Sequence, residues 1–255
     1  MNFAKEDKPL AWPILAWLAV AIAGVAAPAM AMLLLVNAPE NASLVFVGGV
    51  LLAVGLMGAA MIGAAAARRL WVGLMLAVLT GACLIMFAQA LGMPALLHPL
   101  STALAIVVAA FSFAARGALF AKSAAGKGWL IAVAVVAGEA AVVLTALADP
   151  DLWPDWLLAL LPAEWATIAI QTALTGTGTL AASSTLLALV GTAAATLLVA
   201  KLWPSRWPYL IMFAAWLGFA ALVYHRPGPL LPSATSTASI EPAGYTAAVA
   251  PIPVD

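Results

Sequence analysis

Of 255 residues, 66% are hydrophobic and 8% charged, against roughly 45–50% and 25% in an ordinary soluble domain, so the composition is that of an integral membrane protein. Ten Lys and Arg balance ten Asp and Glu, which leaves no basic surface for nucleic acid and excludes that class of partner. The single cysteine, Cys83, excludes an internal disulfide and any cysteine-based zinc or iron–sulfur cage.

Seven apolar runs reach the ~20 residues that a helix needs to cross ~30 Å of hydrocarbon. They cover Leu10 to Val36, Ser43 to Ala67, Leu70 to Leu91, Pro94 to Ala115, Gly128 to Ala148, Thr175 to Ala200 and Trp207 to Tyr224. The runs are continuous and rich in Ala and Leu, whereas a membrane barrel is built from alternating strands of ~10 residues. The predicted fold class is therefore all-α: a polytopic membrane protein with a transmembrane domain over 1–226 and an extended tail over 227–255. The lipid bilayer is its first partner.

In the first run, Lys5 and Lys8 precede an apolar stretch that reaches Ala29-Met30-Ala31, the A-x-A pattern of a secretory signal. That stretch is longer than the usual 7–15-residue signal core, which favours an uncleaved first span. On the second run Gly55, Ala59, Gly63 and Ala67 recur every four residues, a small-residue stripe that admits close approach by a helix of this chain or of another subunit. Arg68 and Arg69 form the tight turn beyond it.

Charge sets the expected orientation. A cytoplasmic N-terminus puts Lys5, Lys8, Arg68, Arg69, Arg116, Lys122, Lys127, Lys201 and Arg206 all inside and leaves only Arg226 outside, as the positive-inside rule asks. Glu40, Asp149, Asp151, Asp155 and Glu164 then lie on the outer, periplasmic side, where the C-terminus also falls. Trp12, Trp71, Trp129, Trp203 and Trp207 mark one interface, and Trp153, Trp156 and Trp165 the other. The expected location is the inner (plasma) membrane.

Within the fifth run, Glu139 lies ~18 Å from Lys127 and ~15 Å from Asp149 along a helix, near mid-bilayer. It reads as the only ionisable side chain deep in an apolar segment, with no Lys or Arg at its depth and with space beside it at Gly138. A carboxylate there has two readings: a proton or cation site, or a neutral acid bonded to a neighbouring helix as a fastening. The following stretch, Asp149 to Glu164, interleaves Trp and Leu with acids and prolines and predicts a short interfacial helix between spans five and six. Beyond it, Gln171, Thr172, Thr175, Thr179 and Ser183 fall on one polar stripe if the helix is continuous. The stripe would line a vestibule leading to Glu139 or act as hydroxyl glue between helices. Thr175-Gly176-Thr177-Gly178-Thr179 is a weak helix former and does not match the potassium-filter motif.

His98 and His225 are the only histidines, both near the expected outer face. Brought together they would suit a haem or, with a carboxylate, a metal ion; as separate wetted imidazoles they imply no cofactor, and none is predicted. The tail from Pro227, rich in Pro, Ala, Ser and Thr, cannot bury enough apolar surface to fold alone and is ordered only where a partner holds it. No phosphate loop, metalloprotease motif or hydrolase elbow occurs, and the cytoplasmic connections are too short for a nucleotide-binding, kinase or cyclase domain, so no enzyme is expected and an intramembrane hydrolase is the least favoured class. Two functions are expected from these features. One is a non-catalytic accessory subunit that contacts other membrane-protein subunits through its helices and outer face. The alternative is a small-solute or proton-coupled transporter that uses Glu139.

Overall fold

Hydrocarbon offers a backbone amide nothing to bond except another backbone group, so apolar runs of this length close their hydrogen bonds internally as α-helices. The computed structural model describes residues 11–37, 44–124, 126–176, 182–203 and 207–225, and it contains no strand among them. In chain order the helices are α1 (Trp12–Val36), α2 (Val47–Ala67), α3 (Leu70–Ala90), α4 (Pro99–Ser123), α5 (Gly128–Ala148), α6 (Asp155–Leu158), α7 (Pro162–Thr175), α8 (Ser183–Lys201) and α9 (Trp207–Tyr224). All but α6 and α7 are long and apolar enough to cross a membrane, which makes seven such helices among the described residues. Lys5, Lys8, Glu40, Thr179, Arg206, Arg226 and the 227–255 tail lie outside the described residues.

The bundle is organised around α2, of which 89% of the apolar window is buried, against 22%, 17% and 17% for α1, α5 and α9. Its small residues explain the position. Gly24 of α1 rests on Ala59, Gly55 on the Gly24 carbonyl, and Gly63 on Leu76 and Gly73 of α3. The small-residue stripe is thus consumed by helices of this chain. On the neighbouring helices, Gly73 faces the carbonyl of Ala60 and Gly117 that of Met61, so closely that a Cβ at either position would overlap the oxygen. Both α1 and α2 contain one π-helical turn, Ile22–Ala26 and Gly58–Ile62, and the two turns meet where Gly58 lies against Ala23. Arg68 closes α2 in the left-handed region (φ 57°), and the extended Arg69 turns the chain directly into α3.

Charge separates the two ends of the bundle. Arg68, Arg69, Lys122, Lys127 and Lys201 lie at one end, where the Lys122 ammonium caps the Ala200 carbonyl at 2.7 Å and the Trp12 and Trp129 rings meet edge to face at 6.0 Å. Asp149, Asp151 and Asp155 lie at the other end. These are the basic end and the acidic end of the bundle.

Three sequence expectations change. The fourth span does not stop at Ala115 but continues helical to Ser123, so Arg116 lies inside a helix rather than beyond one. The Trp- and Pro-rich stretch yields only the single turn α6, because Pro162 starts a new helix instead of ending one. The sixth span begins at Ser183 and not at Thr175, because Gly176 (φ 81°) terminates α7 in the left-handed conformation typical of a helix C-terminus.

The close approach of α4 to α2 predicts opposite responses at two glycines. Gly117→Ala should lower stability by about 1–3 kcal/mol through overpacking, whereas Gly138→Ala, where a Cβ meets nothing within 4 Å, should be neutral or stabilise by up to about 1 kcal/mol through helix propensity. Thermal unfolding of the two variants in detergent reads the difference, and equal shifts would contradict this packing.

Candidate functional site

Glu139 lies near the middle of the 21-residue α5, and its carboxylate is held from two sides. Oε1 is 3.6 Å from a terminal guanidinium nitrogen of Arg116 on α4, with the two side chains only 12% and 14% exposed. That separation exceeds the ~2.7–2.9 Å of a charge-assisted hydrogen bond, so the contact is mainly Coulombic. Oε2 accepts the backbone N–H of Ala163 at 3.1 Å. The guanidinium also lies 5.6 Å from the centre of the Phe113 ring, one turn back along α4. The expectation that Glu139 has no cation at its depth is therefore corrected. Arg116 looked like a span-ending charge, yet it stands seven residues, ~10 Å, inside the helix end and reaches Glu139 from there.

Ala163 is the second residue of α7, so the carboxylate caps a helix N-terminus, where unsatisfied amides and the helix dipole favour negative charge. Pro162 suits the first position because it has no N–H to satisfy. The backbone just before α7 is satisfied by side chains from the bundle. The Leu160 carbonyl accepts the Trp216 indole N–H at 3.1 Å, and the Ala159 carbonyl accepts that of the fully buried Trp165 at 2.8 Å. Trp165 is therefore an internal clamp and not a member of an interfacial belt. Trp216 lies midway along the 18-residue α9, so α7 begins level with the middles of both α5 and α9.

The other end of α7 reaches the acidic end. Gly176 lies against Leu97 and His98 at the start of α4, and the Gln171 side-chain carbonyl accepts the Gly49 N–H of α2 at 3.1 Å. Between α5 and α7 the Trp153 indole donates to Thr145 at 2.9 Å, one turn before the end of α5. The chain thus leaves α5 at the acidic end, runs back ~9 Å from the level of Thr145 to that of Glu139, and returns as the shorter helix α7 of ~21 Å. This arrangement breaks the expected polar stripe. Gln171, Thr172 and Thr175 belong to α7, the exposed Ser183 opens α8, and Thr179 lies outside the described residues.

Most hydroxyls on these helices bond to their own preceding turn: Thr102 to His98, Thr172 to Ile168, Thr175 to Gln171 and Thr192 to Ala188. Among the described residues two buried hydroxyls have no hydrogen-bond partner, those of Ser112, fully buried, and Thr167, 7% exposed. Ser112 is one turn from Arg116 on the same face of α4, and Thr167 is one turn from Ala163 on the same face of α7. Both lie on the acidic-end side of the ion pair. Sequence patterning missed Arg116, Ser112, Thr167 and Trp216; the Pro162 to Gly176 interval, with proline at a helix start and glycine at its end, was the available signal for α7.

The histidines have separate settings. His98 precedes α4, and its carbonyl accepts the Thr102 hydroxyl, while His225 follows α9 and packs edge to face on Tyr224 at 5.1 Å. No group of three His, Cys, Asp or Glu side chains with metal-holding geometry occurs among the described residues. Cys83 is exposed on α3. Comparison of the chain with protein-family models, with curated proteins and with solved structures finds no match.

The pairing predicts strong non-additivity. Removing one partner leaves a buried charge alone, so Arg116→Leu or Glu139→Leu should each cost about 3–5 kcal/mol, and the double replacement much less than their sum. A double-mutant cycle from reversible unfolding in mixed micelles measures the coupling, and additive losses would contradict the pair.

Proposed function

We propose that this chain is a proton-coupled transporter of a small solute, with the Glu139–Arg116 pair at the foot of α7 as its central site. The observation that carries this reading is a 14-residue helix, too short to span, that begins at mid-bundle on an intramembrane carboxylate. Non-helical backbone at membrane depth is tolerated where it is buried in protein or lines a cavity, and transporters place the ends of broken helices at their binding sites. Ionisable groups at that depth are costly and characteristically line substrate or proton pathways. In the expected orientation the acidic end faces outward, so α7 and the Ser112 and Thr167 hydroxyls lie on the outer side of the pair.

Glu139 and Arg116 suit an alternating role. When Glu139 is ionised the pair is neutral as a unit and closes the bundle centre; when Glu139 takes a proton, Arg116 and the α7 amides lose their anion and the site is free to accept solute. The charged side chain facing the carboxylate is Arg116, from α4. Glu164 is the acid in the first turn of α7, and α1 and α2, which also pack on α5, carry no charged residue within their spans.

Two features cited for the accessory-subunit reading are used within the chain: the small-residue faces are filled by its own helices, and Trp165 is turned inward.

Purified protein in proteoliposomes loaded with a pH-sensitive dye tests the transport reading. Addition of small organic acids, amines or polyols should give a protein-dependent pH change with one of these classes, reduced at least tenfold in Glu139→Gln. Traces matching empty liposomes for every class, or unchanged flux in the variant, would overturn it.

A further inference from the structure

We propose that the solute of this site is a small carboxylate, and that Glu139 occupies the position of the solute carboxylate in this structure. The inference deepens the transport reading above and rests on it for its purpose, but not for its chemistry. The Glu139 carboxylate sits where an exogenous carboxylate would be held: one oxygen toward the Arg116 guanidinium at 3.6 Å, the other on the Ala163 amide at the start of α7 at 3.1 Å. Guanidinium and helix N-terminus are both groups that recognise oxyanions. An amine or metal cation meets repulsion from both.

A second observation extends the site beyond Glu139. Among the described residues the Ser112 and Thr167 hydroxyls are buried without partners, whereas Thr102 at the start of α4 and Thr172 on α7 bond to the carbonyl four residues before them. A buried hydroxyl without a partner is costly, and these two lie one turn from Arg116 and Ala163 on the faces that carry those groups. Side chains on a helix lean toward its N-terminus, which carries Arg116 toward the turn of Ser112 and Thr167 toward Ala163. Along α4 and α7 the unpartnered hydroxyls thus stand one turn from the cationic groups, on the acidic-end side. A carboxylate that entered from that end would meet two hydroxyl donors before the guanidinium.

The site then works by exchange. Proton uptake by Glu139 removes its negative charge, Arg116 is left needing an anion, and a solute carboxylate takes that place, so one proton and one anion enter together without net charge. Glu139 is a built-in competitor for the anion, and a neutral isostere of it should strengthen binding while abolishing coupled flux.

Acetate is the probe, titrated by isothermal calorimetry into detergent-solubilised protein, with chloride at equal ionic strength as the control. Glu139→Gln should bind acetate at least tenfold more tightly than wild type. Arg116→Gln/Glu139→Gln, which carries no buried charge, should lose binding, and Ser112→Ala/Thr167→Val in the Glu139→Gln background should weaken it severalfold. Equal acetate affinity in wild type, Glu139→Gln and the doubly neutral variant would overturn the proposal, as would heats no larger than those of chloride. The two readings fail separately: acetate binding to Glu139→Gln without flux in wild type sinks transport alone, whereas flux of an amine or polyol without acetate binding sinks the carboxylate site alone.

Discussion

A chain that leaves helical geometry inside hydrocarbon must find a partner for every amide and carbonyl it frees, and the start of α7 is built around that requirement. Each free group costs several kcal/mol in an apolar medium. Leu160 and Ala159 receive indole donors from Trp216 and Trp165, and Ala163 gives its amide to Glu139. Three of the elements around α7 are thereby fixed against it: α9 through Trp216, α5 through Glu139 and α4 through Arg116. The tight centre formed by α2 serves the same end, because the close approach of α4 at Gly117 keeps α4 and its Arg116 against the bundle core.

The ion pair follows from the same constraint. A lone Glu139 carboxylate would be a poor cap for a buried helix because of its own desolvation, and a lone Arg116 would be costlier still. Together they form a neutral group that also satisfies a backbone donor. Such an arrangement is weak evidence for stability, since well-packed apolar residues would serve as well or better. In the transport reading proposed here, the pair serves instead to hold a removable proton at mid-depth.

The seven spans were legible because length and apolarity report directly on bilayer thickness. Glu139 was legible for the converse reason, as a charge where hydrocarbon should be. Its partner was hidden by the same logic: a charge eight residues after Ile and Val runs and followed by Gly-Ala reads as the end of a span, and hydropathy carries no information about a neutralising contact 23 positions away in sequence. The short helix α7 was hidden by its length. With 14 residues and a buried face, α7 is too short for a span, and Trp165 beside Glu164 has the composition of an interface. The Gln171 to Ser183 stripe failed at Gly176, where one left-handed residue ends the periodicity on which it depended.

The depth of the α7 start is the claim on which the rest depends. Nitroxide labels placed singly at Asp151, Leu160 and Gly138, in a Cys83→Ser background in lipid bilayers, report depth through the ratio of oxygen to nickel-chelate accessibility. The label at Leu160 should lie within a few ångströms of the depth of that at Gly138 and on the order of 10 Å deeper than that at Asp151, as expected from the rise of α5 between the two levels. A Leu160 label at headgroup depth, level with Asp151, would contradict the account, because α7 would then begin at the membrane surface and Glu139 would have no helix to cap.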